Sequence, residues 1–387
     1  MKPNKTIFKQ TEIGMIPEDW EVKELGEEIE LAYGKGLIEN KRVFGEYPVF
    51  GSNGIIGFHA EAFVKGPGII IGRKGSVGEV KFSRKDFWPI DTTYYVKLKK
   101  QGNIFFWYYF LMSLGLNKLN SHSAVPGLNR DQVYQIVSKI PPLSEQSAIA
   151  KILSSLDAKI ELNQQINKTL EEIGKALFKH WFVDFEFPNE EGKPYKSSGG
   201  EMEYNEELGK DIPKGWEVNN ALNLFKLEYG WHLPEWDRNE GNIPVFGSGG
   251  LTGFHNQYFV KGPGIILGRA GKIGPDSVYY SHIPFCPLET TFYVSTENKK
   301  IIRFLFYFLK TMSMINTGSS VPNLSRNSIH NAKIIIPTME IIEYFDNLTK
   351  KIFDKIYENQ HQIKLLSQIR DSLLPKLMSG KIRVPIE

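Results

Sequence analysis

The chain contains two copies of one sequence, and this duplication limits its possible folds more than any other feature. Ile16-Pro17 with Trp20 recurs as Ile212-Pro213 with Trp216, a shift of 196 residues (16 to 212). The same shift carries residues 63–70 (FVKGPGII) onto residues 259–266 unchanged. Solenoid repeats are about 20 to 50 residues long. A period this much longer predicts two whole domains of one fold.

Each copy has two parts that differ in composition. The first part is rich in Gly, Pro and aromatic residues, and its short apolar runs are typical of strands between turns. The second part has almost no Gly or Pro, and its apolar residues recur at spacings of three and four, which predicts a long amphipathic helix. We therefore predict an α+β fold. The predicted segments are two β-rich domains at 1–143 and 212–337, two long helices at 144–182 and 338–378, a polar linker at 183–211 and a tail at 379–387.

The two long helices need partners to cover their apolar faces. A helix of about 35 residues spans about 50 Å, more than one small domain covers. Either each helix packs on its own β-rich domain, or the two form an antiparallel coiled coil; a shared pattern over about four heptads favours the coil. Such a pair predicts a pseudo-twofold arrangement, with Asn163 paired to Asn359. The predicted seam is Ile149, Leu156, Ile160, Asn163, Leu170, Ile352, Ile356, Asn359, Leu366 and Leu373.

Composition narrows the class of protein. The 47 Lys and Arg residues against 44 Asp and Glu residues give a net charge of +3, too mild to indicate a nucleic-acid partner alone. Cys286 is the single cysteine, which excludes an intramolecular disulfide and fits the reducing cytoplasm. The longest apolar stretch, residues 104–116, is shorter than the about 18 to 20 residues of a membrane span. We expect a buried helix there and no membrane partner.

The sequence lacks the motifs of an enzyme that acts on nucleotides. No G-x-x-x-x-G-K-[ST] phosphate loop occurs, and Gly66-Pro67-Gly68 lacks the third glycine of a dinucleotide-binding loop. Pro141-Pro142 does not form an N/D-P-P-aromatic methyltransferase box. The histidines form no H-x-x-x-H pair. We expect no catalytic residues, no metal site and no cofactor in this chain.

Several motifs resemble the DNA specificity subunits of type I restriction–modification enzymes. In that family a target-recognition domain precedes a long helix, and the pair is repeated. The motifs that carry the resemblance are residues 49–52 (VFGS), 125–130 (VPGLNR), 140–146 (IPPLSEQ) and 177–185 (LFKHWFVDF). They lie in the family's order, and the resemblance covers nearly the whole chain. The second copy departs from it at residues 336–338 (IPT), where the Glu-Gln pair is also missing.

The resemblance implies a non-catalytic DNA-binding subunit. Each β-rich domain would read one half of a split double-stranded DNA target, and the helices would separate the domains and dock two methyltransferase subunits. Methylation and cleavage would belong to those and to restriction subunits. Because residues 47–78 are mostly identical in the second copy, we expect an interrupted, near-palindromic target. The alternative is a duplicated scaffold that binds protein or carbohydrate, with the coiled coil as a stem.

Candidate DNA-binding residues lie in segments that both copies share. Residues 35–100 contain twelve basic and six acidic residues, whereas residues 231–300 contain six of each. Arg73 and Arg269, flanked by glycines, are the first candidates to contact guanine or phosphate; pairing with Asp91 or Glu289 is the alternative. The further candidates, some of which could instead serve turns or the core, are Ser52, Asn53 and Ser248 in turns, Tyr33 and Tyr229, the lysines Lys65, Lys74, Lys261 and Lys272, and Arg130 and Arg326 in a Pro-x-Leu-x-Arg loop.

Overall fold

The chain forms two compact units, each with one β-rich domain and part of both long helices. The structure, a computed structural model, describes residues 7–119, 127–312 and 324–384. The first unit contains the residues up to Leu162 together with those from Gln362 onward, and the second is Asn163–His361. Residues 125–126 of the VPGLNR motif and their counterparts 321–322 lie outside the described residues.

The first β-rich domain is built from short strands. They are β1 Phe8–Thr11, β2 Gly14–Pro17, β3 Glu21–Glu24, β4 Ile29–Tyr33, β5 Tyr47–Gly51, β6 Gly54–His59, β7 Gly68–Gly72, β8 Val80–Ser83, β9 Trp88–Pro89, β10 Thr93–Leu98 and β11 Val137–Ile140. Its helices are α1 Leu25–Glu28, α2 Ile104–Ser113 and α3 Arg130–Tyr134. An antiparallel sheet has the order β4-β10-β7-β8, and a smaller sheet, β6-β5-β9, has β9 parallel to β5. The pairs β1-β2 and β3-β11 are also antiparallel.

The core of the first unit forms where apolar runs meet. All five residues of β7 are buried because β8 and β10 flank the strand and α2 covers it. The predicted buried helix is confirmed as α2, which begins where the Asn103 side chain accepts hydrogen bonds from the N–H groups of Phe105 and Phe106. Trp107 and Leu111 of α2 lie in this core.

The second β-rich domain repeats this topology. Its strands are β12 Met202–Asn205, β13 Lys210–Pro213, β14 Glu217–Asn220, β15 Lys226–Tyr229, β16 Ile243–Gly247, β17 Gly250–His255, β18 Gly264–Gly268, β19 Val278–Ser281, β20 Cys286–Pro287, β21 Thr291–Ser295 and β22 Lys333–Ile336. The order β15-β21-β18-β19 matches the first copy, as do β17-β16-β20, β14-β22 and β12-β13. Two helices described in this domain are α5 Ile302–Thr311 and α6 Arg326–His330. The prediction of duplicated α+β domains is confirmed.

The long helices are α4, Leu143–Phe178, and α7, Met339–Met378. They run antiparallel within each unit. In the first unit the Asp157 carboxylate lies 2.8 Å from Arg370, and in the second the Asn359 side chain donates to Asn167 at 2.8 Å. The alternative packing occurs as well, because Ile149 of α4 is buried in the core of the first β-rich domain.

All ten predicted seam residues are buried or half-buried, and the predicted pairing of Asn163 with Asn359 stays a prediction. The hydrogen bond of Asn359 runs to Asn167, one helical turn beyond Asn163. Residues that correspond in the two copies differ by a constant 196 in number. Residues that face each other in antiparallel helices do not, because the residue number rises along one helix while it falls along the other. The sequence counterpart of Asn167 is Ile363, so the polar contact is not repeated at that position of the second copy.

The segment 183–211, predicted as a polar linker, is instead part of the second core. Phe185 and Phe187 are buried, and the Phe187 ring stacks on Trp216 with centroids 4.9 Å apart. Strand β12 in this segment pairs with β13. The average polarity of the segment concealed two aromatic residues whose burial fixes it to the domain. Within the described residues, no helix combines the length and apolarity needed to cross a membrane.

Candidate nucleic-acid interface

Two loops in each copy are joined by the same backbone hydrogen bonds. After β7, the N–H groups of Arg73 and Lys74 donate to the Thr92 carbonyl at 2.9 and 3.1 Å. The Arg73 carbonyl accepts from the N–H of Leu128, in the Pro-x-Leu-x-Arg loop, at 2.9 Å. The turn returns through Gly75, whose φ of 74° favours glycine. These bonds bring the two predicted arginine loops together.

The second copy has the same arrangement after β18. Arg269 and Ala270 donate to the Thr290 carbonyl at 2.8 and 3.2 Å, and Leu324 donates to the Arg269 carbonyl at 2.8 Å. Gly271 has a φ of 81°. The two loops therefore meet in both copies, although Lys74 is replaced by Ala270.

An arginine from each loop lies beside one tyrosine ring. In the first copy the guanidinium carbons of Arg73 and Arg130 are 5.3 and 5.2 Å from the centroid of Tyr33, and we name these three residues the first cluster. Cation–π attraction at this distance orients a guanidinium without neutralising it. The tyrosine remains 51% exposed, so the first cluster is open to a ligand.

The second cluster consists of Arg269, Arg326 and Tyr229. Its guanidinium carbons lie 5.3 and 4.9 Å from the ring centroid, and the ring is 48% exposed. Two arginines and a tyrosine that are far apart in the sequence thus meet in the same geometry in both copies. Each cluster is a compact positive surface with an exposed aromatic ring.

The anticipated pairing of these arginines with carboxylates takes a different form. Arg73 donates to the backbone carbonyl of Asp91 at 3.1 and 2.7 Å, and Arg269 donates to the carbonyl of Glu289 at 3.2 Å. A carbonyl oxygen carries no net charge. In the described part of the chain neither guanidinium forms an ion pair, so both positive charges remain available to an anionic ligand.

The clusters differ in one acidic neighbour. Arg326 lies 3.5 Å from the Glu228 carboxylate, and the sequence counterpart of Glu228 is Ala32. The Arg130 guanidinium is as far as 4.0 Å from the carboxylate of the adjacent Asp131, which is the limit of an ion pair. The second cluster is therefore less positive than the first. This agrees with the neutral charge balance of residues 231–300.

Two residues that the sequence analysis did not single out form hydrogen bonds with β4 and β15, the strands that bear Tyr33 and Tyr229. The N–H of Leu31 in β4 donates to the Tyr134 hydroxyl at 2.8 Å, and the N–H of Leu227 in β15 donates to His330 Nε2 at 2.8 Å. Burial lowers the pKa of His330, and the nearby Arg326 lowers it further, which keeps the ring neutral and able to accept. Tyr134 and His330 differ in type but are 196 residues apart, so aligning the copies could have revealed them.

A buried tyrosine supports the first cluster from below. Tyr94 packs against Tyr33 with centroids 5.1 Å apart, and its hydroxyl donates to the Leu128 carbonyl at 3.2 Å. Burial raises the pKa of Tyr94 to about 12, so the hydroxyl keeps its proton at neutral pH. This contact ties the strand that bears Tyr33 to the Pro-x-Leu-x-Arg loop.

Other predicted residues adjoin the arginine loops. The hydroxyl of Ser52 would lie 3.1 Å from a Cβ placed on Gly75, and that of Ser248 would lie 3.7 Å from one on Gly271. The remaining residues of this group are the exposed side chains of Asn53, Lys74 and Lys272. The serine turns and arginine loops thus form one continuous edge in each copy.

The structure does not bring two predicted lysines to these edges. Lys65 and Lys261 precede β7 and β18, whereas the arginine loops follow those strands. A five-residue strand separates its ends by about 17 Å. Within the described residues, no group of three or more His, Cys, Asp or Glu side chains could hold a metal ion.

Comparison with known proteins identifies the family. Residues 17–172 and 213–372 match the model for the type I restriction modification DNA specificity domain. The chain is 30% identical to the MjaIX type I restriction enzyme specificity subunit of Methanocaldococcus jannaschii, covering 98% of this chain and 97% of that one. It is 26% identical to the HindI specificity subunit of Haemophilus influenzae, with coverages of 66% and 71%.

A solved structure supports the same assignment at the level of the fold. The crystal structure of a type I restriction–modification S subunit from M. genitalium matches with a TM-score of 0.62 and 20% identity, covering 93% of this chain and 96% of that one. The alternative of a protein- or carbohydrate-binding scaffold is not favoured by these matches. The chain belongs to the family of type I restriction–modification DNA specificity subunits, the recognition components and not the catalytic ones.

Proposed function

We propose that the first and second clusters each contact one half of a bipartite, near-palindromic DNA target. The observation that carries this proposal is the repeated meeting of two arginines and a half-exposed tyrosine, with ring distances between 4.9 and 5.3 Å in both copies. Paired guanidinium groups suit the anionic duplex, because they bind phosphates and can contact O6 and N7 of guanine bidentately. The serine turns beside them would add hydrogen bonds.

The cluster geometry prepares these arginines for binding. The tyrosine ring and the carbonyl of Asp91 or Glu289 restrict the side chain, so less conformational freedom is lost on contact with DNA. Because the second cluster is less positive, a larger share of its affinity for DNA should come from hydrogen bonds and shape complementarity. We expect the two half-sites to be similar overall. They should differ at the base pairs that lie near Glu228 in one complex half and near Ala32 in the other.

A binding titration tests the assignment of the clusters. Arg73→Ala and Arg269→Ala, measured by fluorescence anisotropy in the assembled methyltransferase complex, should each weaken binding to a target duplex by about tenfold. Lys65→Ala, at the other end of β7, is the matched control and should change affinity less. Equal losses for all three variants would place the interface elsewhere.

We further propose that methyltransferase subunits, two per chain, dock on the long helices and that restriction subunits join this complex. Ile173 of α4 and Ile369 of α7 support this, because they are sequence counterparts and are 50% and 47% exposed on their helices. Apolar side chains left exposed at the same place in both copies are available to a partner helix. Light scattering of the purified complex should give two methyltransferase subunits per chain, and Ile173→Glu with Ile369→Glu should reduce this number. We propose no cofactor in this chain.

A further inference from the structure

The second unit contains a cavity that does not include the residues of the second cluster. Its volume is about 670 Å³, and it lies between strands β17 and β19, helix α5 and the adjoining stretches of α4 and α7. Eight of its 21 lining residues carry a phenyl, phenol or imidazole ring. Cavities of about 300 to 1,000 Å³ with apolar walls and a few polar groups are typical of small-molecule sites.

The rings that line the cavity contact one another. His282 stacks on Tyr357 with centroids 4.7 Å apart and an interplanar angle of 30°, and Tyr280 meets Phe353 edge to face at 4.5 Å. Burial lowers the pKa of His282 to about 4, so the imidazole is neutral at pH 7. The walls therefore suit a planar aromatic ligand, which gains stacking and edge contacts on several sides.

One end of the cavity carries a half-buried cation. The ammonium of Lys310 lies 5.1 Å from the centroid of the Phe306 ring. Among the described residues, no carboxylate forms an ion pair with Lys310. Lys175 also lines the cavity, and the two acidic lining residues, Glu171 and Asp276, are exposed side chains at its border. Glu171 and Asp276 act on Lys310 through their charge without forming an ion pair with it, so an anionic group on a ligand would add a direct partner.

The first unit fills the corresponding place with ion pairs. Arg84 lies 3.9 Å from Glu161, and Asp157 accepts from Tyr109 at 2.6 Å and from Arg370 at 2.8 Å. These side chains connect the strand end after β8, helix α2 and the two long helices. The fold is therefore stable without an aromatic cavity at this place.

In the second unit each of these charged residues has an uncharged counterpart. His282 replaces Arg84, Phe353 replaces Asp157, Tyr357 replaces Glu161 and Gly174 replaces Arg370. A Cβ on Gly174 would come within 1.8 Å of the Tyr307 hydroxyl, so the glycine leaves space for that ring. Lys310 in turn replaces the uncharged Met112. These four replacements remove charged side chains, whereas the replacement at Lys310 introduces one.

We propose that this cavity binds a small planar aromatic anion, with its ring among Tyr279, Tyr280 and Tyr357 and its anionic group on Lys310. The ligand would touch the β-rich domain through β19 and the helices through α7, so it would couple these two parts of the second unit. This site is separate from the second cluster and does not depend on the function proposed above.

A fluorescence titration of the full chain with 8-anilinonaphthalene-1-sulfonate tests the proposal. We expect saturable binding of one molecule per chain. Lys310→Met, which introduces the residue of the first copy, should weaken binding about tenfold, as expected for loss of a charge-assisted contact. The uncharged analogue N-phenyl-1-naphthylamine should bind Lys310→Met as well as it binds the parent chain.

The double variant His282→Arg with Tyr357→Glu recreates the ion pair of the first copy and should abolish binding of both probes. Trp236→Ala, which removes an exposed ring outside the cavity, should leave binding unchanged. Unchanged affinity in Lys310→Met would overturn the anion assignment, and unchanged affinity in the folded double variant would overturn the site. Displacement of the probe by the methyltransferase subunit would instead make the cavity a protein-docking site. DNA affinity should remain the same in every variant, which separates this test from the proposed recognition function.

Discussion

The two copies stabilise the surroundings of one equivalent tryptophan, Trp20 or Trp216, with different interactions. In the first unit the indole N–H of Trp20 donates to the Glu145 carboxylate at 2.7 Å, and Arg383 from the chain's last residues donates to that carboxylate at 2.7 and 2.8 Å. Arg383 also binds Asp19 at 2.7 Å. Glu145 is completely buried. A polar network thus fastens the end of the chain to the first unit.

The second unit uses aromatic rings at the corresponding place. Trp216, the counterpart of Trp20, stacks on Phe187 and meets Phe185 edge to face at 5.6 Å. The counterpart of Glu145 is Ile341. The comparison shows that one fold tolerates an ionic or an aromatic closure, provided that each is complete. Replacing a single member of either closure should therefore be costly.

The largest expected effect comes from Glu145→Ala. Removing a buried carboxylate leaves Arg383 and the Trp20 indole without their acceptor and should destabilise the first unit by about 4 kcal/mol. Hydrogen exchange followed by mass spectrometry should show faster exchange in peptides of the first unit and no change in residues 183–361. Faster exchange in both units would mean that they do not unfold separately.

Phe187→Ala should have the next largest effect, in the second unit. Loss of this buried ring removes the stack on Trp216 and should cost about 3 kcal/mol. The same exchange measurement should now report on the second unit alone. Tyr204→Ala, which removes an exposed ring from the neighbouring strand β12, is the control and should change exchange little.

Acid should affect the second unit more than the first through His282. Its pKa is about 4 in the folded state against 6.5 for a free imidazole, chiefly because it is buried. The unfolded state therefore binds the proton first as pH falls from 6.5 to 4, and the free energy of unfolding should decrease by on the order of 2 kcal/mol. Thermal unfolding of His282→Phe should lack this component between pH 7 and 4, and an unchanged profile would contradict the assignment.

The smallest expected effect concerns the Asn167–Asn359 contact. Replacing both residues by Leu removes a buried polar pair and should change stability by about 1 kcal/mol, while the helix pair should lose part of its preference for one register. Cysteine crosslinking across α4 and α7 can measure the register. A single register in the double variant would show that the apolar seam alone sets the alignment.

The sequence predicted the elements whose signals are long or repeated. The duplication predicted two domains of one fold, and the spacing of apolar residues predicted α4 and α7 to within a few residues of their ends. The meeting of Arg73, Arg130 and Tyr33 could not be predicted, because it depends on how β4, β7 and the Pro-x-Leu-x-Arg loop converge. Position along the chain contains no information on such contacts.

Local averages concealed other features. The polar residues around Phe185 and Phe187 outweigh them in composition, so the sequence predicts a linker where the structure has an ordered segment. The contact of Asn359 with Asn167 does not follow from the sequence, because pairing in antiparallel helices depends on a register that one sequence does not specify. The replacement of ion pairs by rings around the cavity was visible in aligned copies, but its meaning depended on knowing that these residues meet.

Selection of bound DNA from a random pool tests the central claim most directly. With the assembled complex of the parent chain, we expect two similar half-sites in inverted orientation, separated by a spacer of constant length. Arg73→Ala should relax the sequence preference in one half-site only, and Arg269→Ala in the other only. Two unrelated half-sites, or relaxation of the same half-site by both variants, would contradict recognition by one cluster in each copy.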